Sequence, residues 1–220
     1  MKFSALAFLC AVLACACVAN ANIVAWNCGN DGDGAINCGQ TGWWWNATDS
    51  EWDLNIAGDQ FQAPGHMLMD FTTDSGSDPT IRAANFVTND TAPYFTWTGY
   101  EVDLTLYTDS ALSGSSILSA AVTSPGDWLP PTITQPTGGA ITPVLIDGKT
   151  FNYEYTGAIG FEGGTAIGFG GELDFNYKLT FAGATNYYAV QGMTPIPEPA
   201  SIALAISGLL GLLALRRKFA

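Results

Sequence analysis

Two neighbouring stretches near the start of this chain gather side chains capable of chemistry. The first is Asn30-Asp31-Gly32-Asp33-Gly34, enclosed between Cys28 and Cys38. Carboxylates alternating with glycines suit an oxygen-seeking cation such as Ca²⁺, because the acids can converge on a backbone that bends sharply. Set against an EF-hand-type loop, Asp31, Asp33, Gly34 and Ile36 take the third, fifth, sixth and eighth positions. Gly29 and Gln40 then occupy the first and twelfth, where such a loop carries its strongest acidic ligands. Asp31 and Asp33 are therefore the candidate Ca²⁺ ligands. The competing reading, favoured by the two missing acids, is an acidic turn with no cofactor.

The second stretch is Trp43-Trp44-Trp45-Asn46-Ala47-Thr48-Asp49-Ser50-Glu51-Trp52. Consecutive residues on a strand point to opposite faces, so at least one of Trp43, Trp44 and Trp45 must face outward. An outward indole beside Asn46, Asp49 and Glu51 offers a flat apolar face for a sugar ring and polar groups for its hydroxyls. Trp43, Trp44, Trp45 and Trp52 are accordingly the candidate glycan contacts. The alternative is that they anchor the core, as large aromatics do routinely.

Catalytic constellations find little footing. His66 is the one histidine, and no Gly-x-Ser-x-Gly elbow or His-Glu-x-x-His pattern occurs. Glu101, Glu154, Glu162 and Glu172 could supply the two carboxyls of a glycosidase. Outward acids of a solvated sheet explain them equally well, and the chain reads as non-enzymatic.

The elements that must position these groups are strands. Period-two alternation recurs through the middle of the chain, most cleanly from Glu172 to Phe181. There Leu173, Phe175, Tyr177, Leu179 and Phe181 share one face, and Asp174, Asn176, Lys178 and Thr180 the other. Val102, Leu104 and Leu106 repeat the pattern, as do Phe151, Tyr153 and Tyr155, and Met67, Met69 and Phe71. Residues 94–99 form a further expected strand. Ile117 to Val122 and Val144 to Ile146 are short apolar runs that read as buried strands. Asp147-Gly148 predicts a hairpin turn. The glycine-rich stretch from Gly157 to Gly171 reads as two strands about a Gly163-Gly164 turn. Turn signals between the strands predict an all-β antiparallel sandwich, jelly-roll-like.

Charge narrows the partners. The formal net charge is −13, and nineteen of the twenty acids lie between residues 22 and 195, with only Arg82, Lys149 and Lys178 to oppose them. Such a surface repels phosphate backbones, which excludes nucleic acid as a partner.

The ends of the chain carry address labels. Residues 1–21 combine Lys2, an apolar run and Ala19-Asn20-Ala21, which reads as a signal peptide cleaved by signal peptidase before Asn22. A lipoprotein signal cut before Cys15 competes, but Leu13 fits its recognition box poorly. Removal of the leader takes Cys10, Cys15 and Cys17 with it. Cys28 and Cys38 are left in an exported segment, where a disulfide persists. The 22–194 segment is then one extracytoplasmic domain.

At the other end, residues 195–220 hold Pro197-Glu198-Pro199, an uncharged run from Ala200 to Leu215, and Arg216-Arg217-Lys218. The prolines bar a helix from extending through them. Sixteen helical residues rise about 24 Å, close to a hydrocarbon core of roughly 30 Å, and the basic cluster supplies a cytoplasmic flank. This reads as a transmembrane helix over 200–215 with a basic tail at 216–218.

Pro-Glu-Pro, a Leu/Gly/Ala-rich span and Arg-Arg-Lys in that order resemble the PEP-CTERM sorting signal of Gram-negative bacteria. The resemblance covers only this tail. It implies transient residence in the inner membrane, handling by an exosortase near Pro197, Glu198 and Pro199, and delivery to the cell surface or extracellular matrix. It further implies association with exopolysaccharide or biofilm. A carbohydrate-binding module or glycan hydrolase on the same sandwich is the alternative.

Overall fold

The computed structural model describes residues 21–77, 79–92 and 95–198. The expected signal peptide, the apolar span 200–215, Pro199 and the basic cluster Arg216, Arg217 and Lys218 lie outside the described residues. Among those described, no helix is long and apolar enough to cross a membrane.

Among the described residues, eleven strands make two facing sheets. One is six-stranded in the order β1-β4-β11-β6-β9-β8, built from β1 (Ile23–Asn30), β4 (Gly65–Thr73), β11 (Asn186–Pro197), β6 (Trp97–Thr108), β9 (Lys149–Ile167) and β8 (Thr132–Ile146). The other is five-stranded in the order β2-β3-β5-β10-β7. Its strands are β2 (Ile36–Asn46), β3 (Glu51–Gln60), β5 (Ile81–Asn89), β10 (Glu172–Ala182) and β7 (Gly114–Ser124). The all-β expectation holds. The purely antiparallel one does not, because β3 and β5 pair in parallel. The intervening β4 belongs to the opposite sheet, so the chain returns to β5 running in the same direction as β3.

Alternation places one row of β4, β6 and β10 in the shared core. Met67, Met69 and Phe71 of β4, Val102 and Leu104 of β6, and Leu173, Phe175, Tyr177 and Phe181 of β10 are all buried there, as their period predicts. Burial of such side chains is worth roughly 1.5–3 kcal/mol each and is the main term holding the sheets together. Phe71 stacks on Tyr187 with ring centroids 4.7 Å apart, and Phe161 meets Phe175 across the sheets at 5.1 Å.

Three local expectations are corrected or sharpened. Val144 to Ile146 is a strand end but not a buried one: Leu145 is 73% exposed, because β8 is the edge of its sheet. Likewise only Ile117 of the β7 run is fully buried, with Leu118 facing out. The glycine-rich stretch is not two strands about Gly163-Gly164. β9 runs through to Ile167, and the reversal comes at residues 168–171. Gly163 and Gly164 instead carry positive φ inside the strand, where a side chain on Gly164 would strike Trp128. The hairpin at Asp147-Gly148 is as predicted, both residues at positive φ in the manner of a type I′ turn.

The open edges of the sandwich face each other and are closed by side chains. At one edge Gln135 of β8 accepts from the Ile117 amide at 2.8 Å and donates to its carbonyl at 2.9 Å. At the other edge, Cys28 of β1 faces Cys38 of β2.

The strands define two poles. β1 begins at one of them, with Asn22. β11 leaves the other, where residues 31–35, 61–64, 90–92, 95–96 and 168–171 gather and the Glu198 amide donates to the Thr96 carbonyl at 2.9 Å. β6, with 12 residues, gives the distance between poles as about 40 Å.

Candidate functional site

The tryptophan ledge stands at the N-terminal pole, on edge strand β2. In register, Trp45 opposes Trp52, Trp43 opposes Leu54 and Trp44 opposes Asp53. Trp43 and Trp45 thus share a face with Trp52, their rings 5.2 and 5.7 Å from its centroid, and Trp44 lies on the other face. Trp52 packs against the core, whereas Trp43, Trp44 and Trp45 are 36%, 46% and 40% exposed. The chain therefore exposes all three adjacent indoles, more than alternation alone requires. An edge strand has no neighbour to cover them.

The polar groups expected to serve this ledge are differently employed. Asn46 donates to Asp49 at 3.0 Å and to Asp53 at 3.1 Å, and its own carbonyl accepts from the amides of Thr48 and Asp49. These bonds build the β2–β3 turn. Glu51 and Asp53 are almost fully buried on the outer face of the five-stranded sheet. Arg82 approaches Asp53 at 2.6 Å and Glu51 at 3.6 Å, and Lys178 pairs with Glu51. The hydrogen bond to Asp53 raises the Arg82 pKa against the opposing effect of desolvation. The register explains the assembly, since Trp44, Asp53, Arg82 and Lys178 stand side by side across four strands. Glu51, expected beside the ledge as a polar sugar contact, is instead one member of a buried ionic cluster.

The acidic loop lies at the C-terminal pole. Asp31 and Asp33 each accept an amide two residues on, from Asp33 at 3.2 Å and from Ala35 at 2.7 Å. The structure adds a third member that sequence spacing did not indicate: His66 at the start of β4, whose Nδ1 lies 2.9 Å from Asp31 Oδ2. One ligand atom from each of Asp31, Asp33 and His66 falls within 4.8 Å of the others. The Asp33 amide first, and then His66, hold the Asp31 carboxyl below its usual range. Opposite His66 in register is Gly192, and beyond it Asp103, whose side chain closes over the glycine. Two exposed carboxylates and one imidazole offer fewer oxygens than Ca²⁺ requires.

Cys28 and Cys38, the pair expected to form a disulfide, are unbridged in the structure. They are nonetheless neighbours. Cys38 Sγ donates to the Gly29 carbonyl at 2.9 Å. A hydrogen bond with Cys38, and then burial, raise the Cys28 thiol, and the same bond lowers Cys38.

Of the glutamates weighed for hydrolysis, Glu172 has a carboxyl companion, Asp174, two residues along the same face of β10. Burial first, and then the Glu172 carboxyl, push Asp174 up to about 6. Neighbours on one face of one strand, they do not face each other across a gap of the roughly 5–10 Å that admits a sugar between an acid and its partner.

Pro197 ends β11 opposite Trp97, and Glu198, just past the strand, is tied by its amide to the Thr96 carbonyl. Comparison with protein-family models, with curated protein sequences and with solved structures finds no match to this chain.

Proposed function

We propose that this is an exported, non-enzymatic surface or matrix protein that contacts exopolysaccharide through the ledge of Trp43, Trp44, Trp45 and Trp52. The observation that carries the reading is the exposure of three consecutive indoles on an edge strand, at the pole away from the C-terminus. Indoles left in water are unfavourable unless a partner covers them, and a sugar's apolar face is a partner of the right shape. The acidic surface, with its three basic side chains already in ion pairs, disfavours polyanions and favours a neutral glycan.

In this reading the precursor crosses the inner membrane behind its signal peptide, rests there by residues 200–215, and passes to an exosortase at Pro197, Glu198 and Pro199. The sandwich then joins the cell surface or matrix of a Gram-negative bacterium. No cofactor is required. The hydrolase alternative finds its best support in the Glu172–Asp174 pair, but the two lie side by side on one strand rather than facing each other across a groove.

Affinity electrophoresis in gels cast with exopolysaccharide from the producing bacterium tests the ledge. The wild-type chain should be retarded, and Trp44→Ala with Trp45→Ala should migrate freely while keeping its melting temperature. Unretarded wild type sinks the glycan reading. Sorting is tested separately by replacing Pro197, Glu198 and Pro199 together, which should leave the protein in the inner membrane.

A further inference from the structure

Like the tryptophan pole, the C-terminal pole exposes large apolar side chains, and here they sit where the chain leaves the sandwich. Phe61, Phe95, Leu129 and Phe169 are exposed at the tips of four separate turns, joined by Ile196 near the end of β11. Leu129 is 61% and Phe169 56% exposed. The turns are gathered by backbone bonds: the Asn89 amide donates to Gly171, Gly170 donates to Asn89, and Leu129 donates to the carbonyl of Glu162. The Asn89 side chain also donates to the carbonyls of Phe95 and Ile167, each at 2.9 Å. Between Phe61, Phe95, Trp97, Pro195 and Pro197 lies an apolar hollow of about 280 Å³.

What covers this pole follows from where the chain goes next. Glu198 is fixed to Thr96, and the uncharged segment begins at Ala200. Two residues reach at most about 7 Å, so a bilayer that receives residues 200–215 must lie within that distance of the pole. We propose that the Phe61, Phe95, Leu129 and Phe169 turns rest on the lipid surface and dip into its headgroup region, standing the sandwich upright on the membrane. This rests on reading residues 200–215 as a membrane span. Asp31, Asp33, Asp90 and Asp127 surround the same turns, so the lipid is zwitterionic; an anionic bilayer would repel them. The orientation also lifts the tryptophan ledge about 40 Å from the lipid, toward whatever lies outside.

The full chain reconstituted in vesicles of phosphatidylethanolamine and phosphatidylcholine provides the test. A photoactivatable phosphatidylcholine, its diazirine at the top of the acyl chain, is included at low fraction, and adducts are mapped by peptide mass spectrometry. Peptides carrying Phe61, Phe95, Leu129 and Phe169 should be labelled along with the tail. The Trp43–Trp45 peptide, equally aromatic and exposed, should remain unlabelled, and replacing phosphatidylcholine with phosphatidylglycerol should reduce the turn adducts several-fold. Phe61→Ser with Phe169→Ser should lower turn labelling and leave tail labelling intact. Adducts on the tail with none on the turns overturn the proposal while the membrane span stands. Adducts on neither end both ideas, and equal labelling at the two poles overturns the orientation. Unlabelled turns in a chain that sediments as a dimer would assign the pole to a second copy.

Discussion

Asp74 holds Asn22 by three hydrogen bonds. Its carboxylate accepts from the Asn22 backbone amide at 2.8 Å and from the Asn22 side-chain amide at 2.7 Å. Its own amide donates to the Asn22 carbonyl at 3.0 Å. Asn22 is also the residue that cleavage after Ala21 would place first, which turns this backbone amide into an ammonium group facing a carboxylate.

The Asn22 side chain and amide keep the Asp74 carboxyl below its usual range. A depressed carboxyl contributes stability that is present above the unfolded pKa of about 4 and fades as pH falls through the folded value. Asp74→Asn should therefore lower the melting temperature slightly at neutral pH, with the difference shrinking as pH falls below about 4. Amino-terminal sequencing of the exported protein should begin at Asn22; a chain starting elsewhere would leave Asp74 with an amide rather than an ammonium.

Asp174 shifts in the opposite direction. Its folded pKa of about 6 exceeds the unfolded value of about 4, so the folded state binds the extra proton and stability falls as pH rises between those values. Asp174→Asn should melt like wild type near pH 4 and higher than wild type above pH 6. A melting profile in which the two chains run parallel from pH 4 to pH 7 would remove the burial account of this carboxyl.

Breaking the ionic cluster on the five-stranded sheet should be costly. Arg82→Met leaves Asp53 and Glu51 buried with one cation fewer, and losing one partner of a buried pair costs on the order of 3 kcal/mol. Denaturant unfolding should register a loss well above the ~1 kcal/mol of an exposed pair, such as one at the rim of the sheet. Replacing Arg82, Asp53 and Glu51 together by apolar residues should recover most of it.

The Cys28–Cys38 contact spans the two sheets at their open edge. Exported protein should show the pair joined on alkylation mass spectrometry, because contacting thiols in an oxidising compartment close readily. Cys28→Ser with Cys38→Ser should then cost about 3 kcal/mol by the loop-entropy estimate. Two alkylated thiols in the exported chain would leave the edge closed by packing alone.

For the acidic loop, Ca²⁺ should leave the melting temperature unchanged, since Asp31 and Asp33 are satisfied by the Asp33 and Ala35 amides and by His66. A ligand specific to the folded state raises stability by mass action. A rise abolished by Asp31→Ala with Asp33→Ala would establish a cation site there.

Local pattern determined a good part of this protein. Alternation alone identified the buried faces of β4, β6 and β10, and Asp147-Gly148 alone located a hairpin, because each rests on the dihedral preferences and side-chain directions of adjacent residues. Exposure of an indole among Trp43 to Trp45 was legible for the same reason. Only the tertiary structure decided which strands became neighbours. The parallel β3–β5 pairing buried Glu51 and Asp53 beneath Arg82 and Lys178, which removed Glu51 from the sugar ledge. β4 brought His66 to Asp31 across 35 positions, and the crossing from β1 to β2 set Cys28 against Cys38 from opposite sheets. Period-two patterning states which way each side chain points but carries no information about the strand beside it. That choice is made by burying all the apolar faces together, a property of the whole chain rather than of any segment.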